Sequence, residues 1–99
     1  MKKEILEFHA EFSKTFSSSK RLEMLCLLKE EEMTVTDITR RLRLPKANVS
    51  QHLALMRMKG ILKARRDGIN IYYGIANKRI AQACSLMQDA LLQLMKGAR

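Results

Sequence analysis

One stretch of the chain, residues 34–60, limits the folds that this sequence can adopt. Its second half repeats apolar residues at i, i+4 and i+7, where Val49, Leu53 and Met56 stand. At about 100° per residue, this spacing places the three side chains on one stripe of an α-helix. A shorter helical pattern precedes it, and only Arg43 to Pro45 remain to join the two. We therefore expect two short helices connected by a tight turn.

The boundaries of these helices are marked by residues that suit helix ends. Thr36 is the predicted N-cap of the first helix, because a threonine hydroxyl can accept a hydrogen bond from a free backbone amide. Pro45 suits the beginning of the second helix, and Gly60 suits the position after it ends. Two helices joined in this way form a helix-turn-helix, whose second helix enters the major groove of DNA.

The second helix carries polar side chains opposite its apolar stripe. Asn and Gln can each form two hydrogen bonds to adenine, and Ser can adapt to several bases. Asn48, Ser50 and Gln51 are therefore the predicted base contacts. His52 lies at the border of the two faces, where half-buried packing and a phosphate contact are equal alternatives. The other predicted contacts to the DNA backbone are Lys46, Arg57, Arg65, Arg66 and Tyr72.

The formal net charge of +9 is distributed unevenly along the chain. Residues 1–33 hold six basic and seven acidic residues, whereas residues 34–99 hold thirteen basic and three acidic residues. Between Ile38 and Arg66 there are nine basic residues and no acidic residue. This distribution predicts a polyanionic partner for the second part of the chain.

After Gly60 the apolar period changes from that of a helix to that of a strand. Asp67-Gly68 is a two-residue turn signal between two such strands. The residues predicted to share one face of the second strand are Ile69, Ile71, Tyr73 and Ile75, which leaves Asn70 and Tyr72 on the other face. A hairpin beside a recognition helix is a wing, and Arg65 and Arg66 near its tip would reach phosphates or the minor groove.

The first and last predicted helices, about residues 2–16 and 77–96, carry apolar stripes. A chain of 99 residues buries only about two-thirds of its surface on folding, so a partner subunit would stabilise it. We predict a homodimer whose interface contains Ile5, Phe8, Phe12, Met87, Leu91 and Leu94. The alternative is that the phenylalanines pack only against the core of their own chain.

These patterns predict a mainly α fold with a small β-hairpin (α+β), in the order ααααββα. One domain would span residues 1–99, with the helix-turn-helix at about 34–60 and the wing at about 61–76. No apolar run approaches the ~20 residues of a membrane span, and the two cysteines form no disulfide framework. We therefore expect a cytoplasmic protein, in a reducing compartment.

Neither a cofactor nor a catalytic residue is predicted. The chain contains no paired carboxylates, no nucleophile with a base and no glycine-rich phosphate loop, so an enzyme is not expected. The predicted function is that of a sequence-specific regulator that binds double-stranded DNA at an inverted repeat. The alternative is a winged-helix module that binds protein or RNA.

Four segments give the chain a resemblance to a known family. They are RLEML in the second helix, NVSQHL in the recognition helix, KGIL before the wing and RRDGINIYY in the hairpin. Together they resemble the ArsR/SmtB family of bacterial winged-helix transcriptional regulators, and the resemblance covers nearly the whole chain. It implies a homodimer that represses a promoter until an effector binds.

The metal sites of that family do not carry over to this sequence. One kind uses cysteines in the first helix of the helix-turn-helix, where this chain has Thr34, Val35, Thr36 and Asp37. Another kind uses Asp and His in the last helix, where this chain has Asn77, Arg79, Ala90 and Gln93. Because neither set can make a zinc site, we predict no metal.

Cysteine provides a second resemblance within the family. Cys26 lies where the family's thiol-based sensors of sulfide and oxidants place one reactive cysteine in the second helix. Their other cysteine lies in the last helix, about two helical turns beyond Cys84. Cys26 and Cys84 are therefore a candidate thiol sensor, and the alternative is that each is buried as a small hydrophobic residue.

Overall fold

The computed structural model describes residues 2–97. Met1, Ala98 and Arg99 lie outside the described residues, and so do the two ends of the predicted domain range 1–99. Within residues 2–97, a 3-10 helix (Lys14–Phe16) follows the first of five α-helices, and there are three β-strands. In chain order these are α1 (Lys3–Ser13), α2 (Ser19–Glu30), β1 (Met33–Thr34), α3 (Val35–Leu42), α4 (Lys46–Met58), β2 (Leu62–Asp67), β3 (Asn70–Ile75) and α5 (Lys78–Met95).

The predicted hairpin is part of a three-stranded antiparallel sheet. Its strand order is β1-β3-β2, and β1 pairs Met33 with Tyr73 and Thr34 with Tyr72. The sequence did not reveal β1, because two residues are too short to show an alternating pattern. The strand ties the segment before α3 to the wing.

The apolar stripe predicted for α4 is confirmed as the centre of the core. Val49, Leu53 and Met56 are each 0% exposed, and burial of a side chain of this size stabilises the fold by about 1.5–3 kcal/mol. On α2, the buried face consists of Met24, Leu25 and Leu28, while Leu22 is half-buried. The other buried apolar residues of the cluster are Met33, Ile38, Ile61 and Leu62.

The first helix of the helix-turn-helix is capped by Thr34, so the prediction of Thr36 as the N-cap is wrong. The Oγ1 of Thr34 accepts a hydrogen bond from the amide of Asp37 at 3.1 Å. In return, the Asp37 carboxylate accepts a hydrogen bond from the amide of Thr34 at 3.3 Å. This reciprocal pair is a capping box, and it leaves Thr36 exposed in the first turn.

The turn between α3 and α4 occupies residues 43–45, as predicted. Arg43 follows the helix in the left-handed conformation with φ +56°, a position that usually takes glycine because a side chain is strained there. Its amide donates to the carbonyl of Thr39 at 2.8 Å. Pro45 then stands immediately before α4, so the turn that joins the two helices is only three residues long.

The turn of the wing lies one residue later than predicted. Asp67 pairs with Asn70 across the hairpin, so the two central residues are Gly68 and Ile69. Gly68 has φ +65°, and a type II′ turn requires glycine at its first central position. The prediction that Ile69 shares a strand face with Ile71, Tyr73 and Ile75 is therefore wrong, because Ile69 lies in the turn at the tip and is 95% exposed.

Replacing Thr34 with Ala should lower the free energy of unfolding by about 1 kcal/mol, because the capping hydroxyl is lost. Thr36→Ala is the matched control, since Thr36 is exposed and caps nothing, and it should change stability by less than about 0.5 kcal/mol. Urea unfolding followed by circular dichroism measures both. Equal losses from the two variants would contradict the assignment of the cap.

Candidate nucleic-acid interface

The outer face of α4 is open to solvent along its length. All three predicted base contacts are exposed: Asn48, Ser50 and Gln51. Lys46 and Arg57, at the two ends of the helix, are exposed as well. No side chain caps the start of α4, so its first amide groups and the positive end of the helix dipole face outward. This face combines hydrogen-bonding side chains with cations, as a helix in a DNA groove requires.

His52, another of the predicted contacts, is in contact with a residue of α2. Its ring is half-buried, and its Nδ1 lies 3.2 Å from the Nη1 of Arg21 on α2. Burial first, and the charge of Arg21 second, lower the pKa of His52 below its usual value. The imidazole is therefore neutral near pH 7. Arg21 was missed by the sequence analysis, because periodicity does not report a contact between residues this far apart in the chain.

The two arginines of the wing have different surroundings. Arg65 donates to the Oε1 of Glu32 through Nε at 3.0 Å and through Nη2 at 2.8 Å. Its guanidinium also lies 4.8 Å from the centre of the Tyr72 ring, which is its neighbour across the hairpin. The Glu32 carboxylate raises the pKa of Arg65 through this hydrogen bond and its charge. Arg65 is thus already paired with an anion.

Arg66 points to the opposite face of β2, because successive strand residues alternate. It is exposed, it pairs with Ile71 across the hairpin, and no acidic side chain of residues 2–97 forms an ion pair with it. Of the two arginines at the wing, Arg66 is therefore the one that is available to an external phosphate.

The helices at the two ends of the chain leave apolar side chains in solvent. Neither α1 nor α5 has a buried residue among those described. Phe8 is 65% exposed and Leu94 is 69% exposed. The other residues predicted for the dimer interface are Ile5, Met87 and Leu91, which are exposed, and Phe12, which is half-buried. A groove of about 510 Å³ lies between the two helices. Such a surface is typical of one that a partner covers.

The two cysteines lie on facing helices, α2 and α5. Cys26 is exposed, so the alternative that it is a buried hydrophobic residue is wrong, and its Sγ lies 4.0 Å from the Oε1 of Gln88. Gln88 stands one helical turn beyond Cys84. Burial raises the pKa of the half-buried Cys84 thiol, Lys29 opposes the shift and Cys26 adds to it. Of the two thiols, Cys26 is therefore the more accessible from solvent.

Among residues 2–97, no group of three His, Cys, Asp or Glu side chains could hold a metal ion. None of the helices described here combines the length and the apolar character needed to cross a membrane.

The sequence of the chain has relatives among known proteins. The sequence profile of the bacterial regulatory proteins of the arsR family matches residues 18–64, from the start of α2 into β2. Transcriptional repressor PagR of Bacillus anthracis is 41% identical to this chain over 83 residues, which are 83% of each protein.

Solved structures agree with the sequence comparison. The crystal structure of Rv0081 from Mycobacterium tuberculosis superposes with a TM-score of 0.87 at 30% identity, over 97% of both chains. The homodimeric winged helix-turn-helix DNA-binding domain of Mb0332 from Mycobacterium bovis superposes with a TM-score of 0.86 at 26% identity, over 96% of this chain and 88% of that one. The predicted winged helix-turn-helix fold is thereby confirmed.

Proposed function

This chain belongs to the arsR family of bacterial regulatory proteins and is a DNA-binding transcriptional regulator, and we propose that it acts as a homodimeric repressor on an inverted-repeat operator. Residues 1–99 would serve as one DNA-binding domain, in the cytoplasm where operators lie. Similarity to the repressor PagR supports the direction of regulation. The observation that carries the proposal is the exposed polar face of α4, fixed by a stripe that is fully buried.

In the proposed complex, the side chains of α4 divide between bases and phosphates. Asn48, Ser50 and Gln51 would read base edges in the major groove, because their amides and hydroxyl match the pattern of donors and acceptors there. Lys46 and Arg57 would contact phosphates at the two ends of the helix. These contacts fix the register of the helix in the groove, and the base contacts supply the sequence preference.

Two parts of the wing would have different tasks. Arg66 would contact a phosphate, and Arg65 with Tyr72 would hold the wing in place. Arg66 is exposed and has no anionic partner among the described residues, so it is the proposed phosphate contact. Arg65 and Tyr72 remain candidates for the DNA backbone, but the charge of Arg65 is offset by Glu32. Their main contribution would be to hold the wing against the segment before β1.

A second copy of the chain would cover the apolar faces of α1 and α5. Exposed phenylalanine and leucine side chains on both helices supply the area, and the homodimeric state of the Mb0332 domain supports this assembly. The twofold axis would place two copies of α4 about 34–36 Å apart, one turn of DNA. That spacing is the reason for proposing an inverted repeat.

Selection of binding sites from a random pool of duplex DNA tests the proposal directly. We expect the recovered sites to contain two symmetric half-sites whose centres lie about one helical turn apart. Recovery of unrelated sequences, together with tighter binding to RNA, would favour the alternative of a protein- or RNA-binding module.

The dimer is tested with Phe8→Glu, which places a charge in the proposed interface. Analytical ultracentrifugation should show a dimer for the unmodified chain and monomers for this variant, because burial of an unpaired carboxylate is costly. Ile69→Glu is the control, since this side chain is exposed at the tip of the wing, and it should remain dimeric. A dimeric Phe8→Glu variant would contradict the interface.

Substitutions on α4 and the wing should separate sequence reading from charge. Gln51→Ala should reduce the preference for the selected site over random DNA, since a lost bidentate base contact costs about 1–3 kcal/mol of discrimination. Arg66→Ala should weaken both DNAs alike and reduce the salt slope by about one. Arg65→Ala is the control and should weaken binding less, because Glu32 already pairs this side chain. Fluorescence anisotropy over a range of salt concentrations measures all three.

We also propose that oxidation of Cys26 and Cys84 releases the repressor. A peroxide would oxidise the exposed Cys26 thiol to a sulfenic acid and be reduced to water, and the Cys84 thiolate would then attack that sulfur and expel hydroxide as the disulfide forms. A polysulfide would instead transfer one sulfur to Cys26, and Cys84 would attack the Sγ of the resulting persulfide and expel hydrosulfide. The two thiols lose two protons and two electrons, which the oxidant accepts. The bridge requires Cα atoms within about 7 Å, so it would tie α2 to α5 directly and constrain the apolar face of α5.

Peroxide treatment should therefore give a species lighter by two hydrogens in intact-mass spectrometry, with weaker binding to the selected DNA. Cys26→Ser should retain DNA affinity after the same treatment, and dithiothreitol should restore the affinity of the unmodified chain. An unmodified Cys26 with unchanged DNA binding would remove the thiol proposal and leave the DNA-binding proposal intact.

A further inference from the structure

Arg21 connects the end of the first helical segment to the recognition helix α4. Its Nε donates to the carbonyl of Thr15 at 2.6 Å, and its Nη2 donates to the carbonyl of Lys14 at 3.4 Å. Its Nη1 lies 3.2 Å from the Nδ1 of His52. The three bonds use the planar fork of one guanidinium to join the 3-10 helix after α1 to the middle of α4.

The contact with Arg21 determines which ring nitrogen of His52 carries the proton. Arginine donates hydrogen bonds and cannot accept them, so Nδ1 must present its lone pair to Arg21. The ring is then neutral, with its single proton on Nε2. No described residue bonds Nε2, and it is not one of the buried polar atoms that lack a partner. Nε2–H is therefore a donor that faces solvent from the DNA-reading helix.

The backbone of Arg21 is also fixed. Its amide donates to the Oγ of Ser18 at 3.3 Å in the N-cap of α2. The guanidinium thus starts from an anchored position and reaches two carbonyls and one imidazole. His52 follows Gln51 directly and stands one helical turn beyond Asn48, so a fixed ring at this position also limits rotation of the base-reading face.

We propose that Arg21 is a positioning residue for DNA binding, which holds His52 as the Nε2–H tautomer so that this N–H donates to a phosphate of the operator. The inference rests on the proposed function of α4. It adds a residue from outside the basic stretch of the chain, and it makes the end of α1 part of the support of the recognition helix.

The tautomer can be measured on the unmodified chain. Long-range nitrogen–proton correlation spectra of the full-length protein at neutral pH should show His52 protonated at Nε2 alone. In Arg21→Met, where the donor is absent, the two tautomers should exchange. Protonation at Nδ1 in the unmodified chain, or a spectrum that Arg21→Met leaves unchanged, would overturn the proposal whether or not the protein binds DNA.

DNA affinity supplies the second readout. Arg21→Met and His52→Leu should each weaken binding to the selected duplex by about three- to tenfold per protomer. Because both act through the same contact, the double variant should bind as well as the single variant with the larger loss. Arg66→Ala combined with Arg21→Met is the control, and its effects should multiply because Arg66 acts from the wing. Multiplying effects of Arg21→Met and His52→Leu would contradict the linkage.

His52→Gln keeps the argument testable if Arg21→Met folds poorly, which thermal unfolding will reveal. Its amide oxygen can accept from Arg21 while its amide nitrogen donates outward, so it should retain more DNA affinity than His52→Leu. Equal losses for these two variants would overturn the role of the N–H. If the unmodified chain bound no selected duplex, the proposed function would fail, whereas the tautomer measurement would still decide the Arg21 linkage.

Discussion

Three side chains of α4, Val49, Leu53 and Met56, are removed completely from water, and the direction of the whole helix depends on their burial. A rotation that exposed any one of them would cost about 1.5–3 kcal/mol, and close packing leaves no space for a compensating shift. The polar face of the helix is therefore turned outward by the core beneath it. Ile38 on α3 and Ile61 before the wing belong to the same cluster, so the turn and the wing are oriented by the same packing.

The parts of the fold that could be predicted are those encoded by residues close in sequence. Periodicity identified the buried stripe of α4, and the glycine of the hairpin identified the wing. The misplaced cap shows the limit of such signals: Thr34 and Thr36 both precede a helical pattern, and only the carboxylate of Asp37 three residues after Thr34 distinguishes them. Arg21–His52 and Arg65–Glu32 span more than thirty residues, so their existence follows from tertiary packing, which local patterns do not report.

The charge of the chain is not equivalent to its attraction for DNA. Nine basic residues stand between Ile38 and Arg66, but Arg65 is neutralised by Glu32 from the acidic first part of the sequence. Arg21, which comes from that first part, is directed at the recognition helix instead. In each pair, one residue comes from the first 33 residues and the other from the basic part of the chain. The attraction for a polyanion therefore depends on which cations are already paired, and a count of basic residues along the chain does not show this.

The carboxylate that pairs with Arg65 reaches it by crossing the wing over Gly74, which is buried in β3. A Cβ built at this position would lie 3.0 Å from the Cγ of Glu32 and 3.2 Å from its Oε2. The missing side chain thus leaves the space in which the anion lies. A methyl group there would require the Glu32 side chain to shift by a few tenths of an ångström, so an uncharged residue of β3 sets how closely the carboxylate can lie against the wing.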